Sequence, residues 1–172
     1  MVIALDQQPV LPNRSLVDLD RDHLIHPVTS FREHERLGPR ILTAGDGMWL
    51  TDIEGRRVLD AFAGLWCVNV GYGQESIVEA AAAQMRQLPY AAGSFHFASE
   101  PAIRLAGELT ALTPPGLDHV YFTLGGSDAV DSAIRYIVHY FNAIGQPQKK
   151  QFIALEWGYH GSSSNGAGLT AL

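Results

Sequence analysis

The sequence predicts an α/β fold in which a small antiparallel region precedes the start of a larger, mostly parallel sheet. Three observations predict it. Residues 41–60 alternate short apolar stretches with glycine–aspartate turn signals. Residues 119–156 read as strand, helix, strand. Between them, two stretches carry apolar residues at helical spacing. The 172 residues suffice for an ordinary core, and 47% apolar with 17% charged residues are globular proportions.

Residues 1–40 are polar and irregular, with Pro9, Pro12, Pro27 and Pro39. They are expected to form an extended arm, with His34, Glu35 and Arg36 on a short helical turn. Residues 41–70 are expected to hold an antiparallel meander that forms part of a small domain. Gly45-Asp46-Gly47 and Asp52 to Gly55 mark its turns. Trp49 and Leu50 fall on the middle strand, and Val58 and Leu59 on the last. Asp46 and Asp52 suit these turns because a short carboxylate bonds its own backbone; metal ligation is the alternative. The run AFAGLWCVNVGYG, apolar but broken by Gly64, Gly71 and Gly73, reads as a strand ending in a loop. Cys67 reads as a small buried residue beside Trp66.

Residues 71–172 are expected to begin a large domain. A helix over ESIVEAAAAQMRQL carries Ile77, Ala81, Met85 and Leu88 on one face, and Pro89 stops it. A second opens on Ser99 as N-cap with Pro101 in its first turn, and carries Ile103, Ala106 and Leu109 on one side. HVYFTL reads as a buried strand. It leads through Gly125 and Gly126 into a helix opening on Ser127, with Val130, Ile134, Val138 and Phe141 on one face. Gly145 sits where a C-terminal cap belongs. QFIALE is a further short strand, so a βαβ unit with two parallel strands is expected. The chain stops in the small-residue stretch NGAGLTAL just after a motif, which reads as truncation.

Composition excludes several function classes. Twelve basic and eighteen acidic residues leave a net charge of −6, which argues against nucleic acid or an anionic membrane as partner. The single cysteine permits no intrachain disulfide. The N-terminus lacks a cationic start and a sustained apolar region, and no apolar run is long enough to span a bilayer. A cytoplasmic location is expected. The seven histidines show no ligand spacing, so no metal site is expected.

The turn from strand to helix carries the chemistry. Two glycines let the backbone come close to a ligand, and the first-turn N–H groups, the helix dipole and the Ser127 hydroxyl suit a phosphate. An ordinary serine-capped turn remains the alternative, because the spacing matches neither a Walker A loop nor GxGxxG. Asp128 and Asp131 in the first turns complement the dipole but oppose an anionic ligand, so Asp128 is expected to point away. Tyr159, His160 and Gly161 follow the last strand, and ligands of parallel sheets gather at the carboxyl ends of strands. Tyr159 suits stacking on a flat ring or a place at the rim; His160 suits the same site or a loop hydrogen bond. Ser127 lacks the closing glycine of a nucleophile elbow, which removes a serine-hydrolase reading.

Taken together, four collinear segments resemble the class III (omega) aminotransferases, fold type I enzymes dependent on pyridoxal 5'-phosphate. GDGMWLTDIEGRRVLD resembles the family's N-terminal hairpin. GLWCVNVGYG resembles a segment of the omega-amino acid or amine:pyruvate members. YFTLGGSDAVDSAIR resembles the phosphate-binding strand, turn and helix, with Asp128 in place of the usual glutamate. WGYHGSS resembles the segment whose tyrosine stacks on the pyridine ring. The resemblance implies that Gly126 and Ser127 contact the cofactor phosphate, Gly125 shapes the turn, Tyr159 stacks on the cofactor with His160 beside it, and Trp66 lines the substrate pocket.

The same resemblance implies transfer of an amino group from an amine or omega-amino acid to a keto acid such as pyruvate, by a homodimer. In the family a Schiff-base lysine acts on the cofactor. Here Lys149 and Lys150 are the only lysines. Both follow the helix that starts at the phosphate site and are expected at its far end, so no catalytic residue is assigned in this chain. The polypeptide alone is expected not to turn over. The alternative is a noncatalytic binding or dimerising piece of the same fold.

Overall fold

In the computed structural model, which describes residues 14–171, the chain divides into two compact units, Met1–Tyr90 and Ala91–Leu172. The fold is α/β. The first unit holds two short helices, α1 (Leu16–His23) and α2 (Phe31–Leu37), and then three strands, β1 (Leu42–Asp46), β2 (Trp49–Asp52) and β3 (Arg57–Leu59). One helical turn, α3 (Ala63–Trp66), and the helix α4 (Glu75–Gln87) follow.

The expected extended arm is corrected. Residues 1–13, with Pro9 and Pro12, lie outside the described residues, but the rest of the arm is helical. Ser15 caps α1 by accepting from the Asp18 N–H at 3.1 Å, and Asp18 places negative charge in the first turn. Proline suggested an open chain, yet Pro27 and Pro39 fall between or after the helices and interrupt neither.

The meander forms as an antiparallel sheet in the order β1-β2-β3. Its register pairs Asp46 with Trp49 across the first turn and Thr51 with Arg57 across the second. Pairing shifts between Leu42 and Ala44, leaving Thr43 as a bulge whose hydroxyl donates to the Thr51 and Asp52 carbonyls. Asp52 is the turn former that its sequence position predicts. It is buried, and it accepts from the Glu54 and Arg56 N–H groups at 3.0 and 2.9 Å and from Arg56 Nε at 2.7 Å.

The Arg56 hydrogen bond holds the Asp52 carboxyl below its ordinary pKa of 3.8. A depressed carboxylate stabilises the fold above its unfolded value and stops doing so as pH falls through its folded value. Exchange protection of the Glu54 and Arg56 amides should therefore hold from neutral pH down to about pH 4 and fall below it. Asp52→Ala should lower that protection about tenfold at neutral pH, read by amide hydrogen exchange.

The second unit contains α5 (Glu100–Leu112), α6 (Gly126–Ala143) and α7 (Ser164–Leu169). Ser99 precedes α5 and Pro101 lies in its first turn, as its sequence predicts. At the end of α6 the Gly145 N–H donates to the Asn142 carbonyl at 3.1 Å, and the Gln146 N–H donates to the Phe141 carbonyl at 2.8 Å. This pair of bonds closes the helix as a Schellman motif around Gly145.

Two strand expectations are corrected. Residues 119–124 and 151–156 are not paired into a ladder, so the parallel βαβ pair is absent among the described residues. Leu124 and Ile153 are 100% exposed, and no hydrophobic side chain among the described residues is buried. An apolar run records what a segment buries when it is covered, but a strand also needs a hydrogen-bonding neighbour. Successive strands of a large parallel sheet are often not neighbours. Residues 61–70 are likewise no strand: they coil into α3 and turns, and Cys67 is exposed rather than buried.

Candidate active site

Helix α6 starts two residues earlier than Ser127 as N-cap would place it. Gly125 is the N-cap, no side chain caps the helix, and Ser127 lies inside the first turn. The first-turn N–H groups have no carbonyl one turn back to bond, and the positive end of an 18-residue dipole lies there. A Cβ added at Gly125 or Gly126 would meet nothing within 4 Å. An open cleft lined by Ala91, Tyr121, Thr123, Leu124 and Asp128 borders this turn.

Ser127 does more than expected. Its Oγ accepts from the Ser162 N–H at 3.0 Å. That bond draws the 158–163 loop onto α6. Gly161 packs so close that a Cβ there would lie 3.1 Å from Ser127 Cα, and its φ of +127° is one that side chains rarely adopt. Tyr159 is exposed beside these groups, and the Ser162 and Ser127 hydroxyls hold its phenol below the usual pKa. His160 lies on the same loop. Its N–H donates to Thr170 Oγ1 at 3.0 Å, while its Nε2 is buried and without a partner.

Asp131 fixes the other side of the loop. Its carboxylate accepts from the Gly166 N–H at 2.7 Å and from Ser163 Oγ at 3.0 Å, so it caps α7 from one turn along α6. The Gly166 bond leads among the causes that lower its pKa. The tension between Asp131 and an anion at the helix start is thus relieved: its charge is spent on α7. Asp128 is exposed. Gly125, Gly126, Ser127, Tyr159 and His160 are therefore brought together within the second unit.

Gly161→Ala should push this loop off α6, because the obstacle is Ser127 backbone rather than a mobile side chain. Backbone strain of this kind costs about 1–3 kcal/mol. Protection of the Ser162 amide against hydrogen exchange should fall at least tenfold.

Trp66 belongs to the first unit, where it sits on a left-handed turn. Ala63, Gly64, Leu65 and Trp66 all have positive φ, from +47° to +64°. Left-handed backbone costs about 1–2 kcal/mol per non-glycine residue, so something must hold it. Asp60 does: its carboxylate accepts from the Phe62 N–H at 3.2 Å, the Gly64 N–H at 2.7 Å and the Tyr72 hydroxyl at 2.8 Å. Tyr72 is fixed in turn by two backbone bonds with Gly47, and its ring lies where a Cβ on Gly45 would stand 2.8 Å away. Trp66 is exposed and meets Phe62 edge to face.

Asp60 and Tyr72 were not singled out from the sequence. Nor was a group in the first unit, where Asp20, His26 and His34 converge although their spacing shows no ligand pattern. Lys149, by contrast, lies past the C-terminal end of α6 with its Nζ 4.6 Å from the Phe141 ring centre.

Comparison with known proteins defines the class of this α/β chain. Residues 31–171 match the family model for aminotransferase class-III, and the chain belongs to that family. It is 46% identical over 151 residues to a putrescine–pyruvate aminotransferase from Pseudomonas aeruginosa, covering 88% of this chain and 33% of that protein. An omega-aminotransferase from Caulobacter vibrioides is 40% identical over 147 residues, covering 86% and 33%. Among solved structures, an omega transaminase from Pseudomonas jessenii in complex with PMP superposes with a TM-score of 0.90 at 36% identity, covering 92% of this chain and 35% of that one. A transaminase from a marine Virgibacillus gives 0.88 at 42% identity, covering 92% and 36%. The chain spans about a third of the length of the curated relatives it matches. No helix among the described residues is long and apolar enough to cross a membrane.

Proposed function

We propose that this chain contributes the phosphate-holding part of a pyridoxal 5'-phosphate-dependent aminotransferase. The enzyme would move an amino group from an amine or omega-amino acid to a keto acid such as pyruvate, in a cytoplasmic homodimer. The observation that carries the reading is the start of α6, where the first-turn N–H groups have no side-chain cap, Gly125 and Gly126 leave open space, and Ser127 lies in the same turn. An orphaned, buried His160 Nε2 in the loop that Ser127 holds adds a polar atom still without a partner.

Bound there, the coenzyme supplies an electron sink for the carbon that loses its amine. The chain's own residues bind and orient. Gly126 and Ser127 hold the phosphate, and Gly125 shapes their approach. Tyr159 presents its ring to the coenzyme from a loop anchored at Ser127 and Asp131, with His160 beside it. Trp66, on its Asp60-held turn, lines the substrate pocket. No residue of this chain is assigned to move the proton, because Lys149 lies past the far end of an 18-residue helix, about 27 Å from its start.

The test is a chimera in which this chain replaces the matching third of the Pseudomonas aeruginosa putrescine–pyruvate aminotransferase. The chimera is expected to retain coenzyme through gel filtration and to transfer amino groups to pyruvate. A soluble chimera that retains none would overturn the reading.

A further inference from the structure

The cluster Asp20, His26 and His34 lies in the first unit, outside the proposed active site. Asp20 comes from α1, His26 from the connector and His34 from α2. His26 Nε2 is 2.7 Å from one carboxylate oxygen of Asp20, and His34 Nε2 is 2.8 Å from the other. The two rings are 4.4 Å apart between centres and tilted by 42°, and one potential donor atom from each residue lies within 4.8 Å of the others. The side chains are sheltered: Asp20 is 11% exposed and His34 14%, while His26, at 31%, leaves one side open to water.

We propose that these three side chains form a binding site for one borderline divalent transition-metal ion such as Zn²⁺. Two imidazole nitrogens and a carboxylate oxygen make a ligand set that Zn²⁺ accepts, with a fourth position for water. Tetrahedral ligation at about 2.0–2.2 Å separates donor atoms by about 3.3 Å, so each nitrogen-to-oxygen hydrogen bond would open by roughly half an ångström, within a group whose ligand atoms already lie within 4.8 Å of one another. Without metal, an ionised carboxylate only accepts, so each Nε2 carries the proton it donates. On binding, that proton moves to Nδ1 of each ring, and no protein group among the described residues bonds either Nδ1.

The charges nearby are compatible with a cation. Arg21, which borders the adjoining cleft, is paired with Asp18, and Glu35 adds a carboxylate on the same cleft. The ion would join α1 to α2 across a connector in which Val28, β-branched, takes φ of +51°. Such a conformation persists where its surroundings fix both ends.

The test titrates the soluble chimera described above, which carries this chain in place of the matching third of the relative, with ZnCl₂, followed by calorimetry and by imidazole ¹⁵N resonances. One Zn²⁺ per chain is expected, with a dissociation constant of about 1 μM or tighter and no response to Mg²⁺. The Nε2 resonances of His26 and His34 should change from the protonated to the metal-bound range. His26→Ala and His34→Ala should each weaken binding at least about 30-fold, and His119→Ala should not. Zn²⁺ binding equal in the chimera and in a variant lacking all three side chains would overturn the proposal. So would Nε2 atoms that stay protonated at saturating Zn²⁺, which would leave a hydrogen-bonded clasp only.

Discussion

Replacing Ser127 with glutamate in the chimera is expected to weaken coenzyme retention at least about 100-fold. Ser127 occupies the first turn of α6, where the dipole and the unbonded N–H groups favour an anion. A carboxylate there meets a doubly charged phosphate ester instead of donating to it. Two unit charges 4 Å apart interact by about 4 kcal/mol in a protein surface environment. A hundredfold loss requires about 2.7 kcal/mol, so the effect survives partial relief by rotation and solvent. The longer side chain also carries the acceptor away from the Ser127 Oγ position that the Ser162 N–H meets, which loosens the Tyr159 loop. Ser127→Ala should be milder, about tenfold, because it deletes the hydroxyl's bond to the charged group and the acceptor for the Ser162 N–H without adding charge. Equilibrium dialysis against pyridoxal 5'-phosphate reads both.

The second large effect concerns the polypeptide by itself. It is expected to bind a hydrophobic dye, to associate as concentration rises and to melt without a cooperative transition. The reason is the surface it exposes. No hydrophobic side chain among the described residues is buried, and the apolar segments around Leu124 and Ile153 have no ladder partner. Burial of apolar area is the main force that overcomes chain entropy, and here little of it is satisfied internally. The same polypeptide should show no transamination, and borohydride after pyridoxal 5'-phosphate should leave no single specific adduct. A discrete dimer with a sharp transition would instead favour the noncatalytic dimerising module.

What the sequence made legible was local. The hairpin follows from Asp52 and Gly55, whose chemistry acts within four residues. The extents of α4, α5 and α6 follow from apolar spacing, Ser99, Pro101 and Gly145. The parts that escaped it depend on contacts distant in sequence. Asp131 looks like a helix-dipole residue until the fold brings Ser163 and Gly166 against it. Asp60 carries no signal in its local sequence, yet it holds a left-handed turn through Tyr72, twelve residues on. Asp20, His26 and His34 have no pattern in one dimension because a helix, a connector and a second helix must fold back to join them. The strand assignments failed for a related reason. Apolar content foretells burial, but it does not say which neighbour supplies the hydrogen bonds.

The central claim is that the start of α6 holds a phosphate. Selective ¹⁵N labelling of glycine and serine in the chimera tests it most directly. On adding pyridoxal 5'-phosphate the Gly126 and Ser127 amide protons should move downfield, and pyridoxal without its phosphate should leave them in place. Coenzyme bound with both amides unmoved would contradict the account.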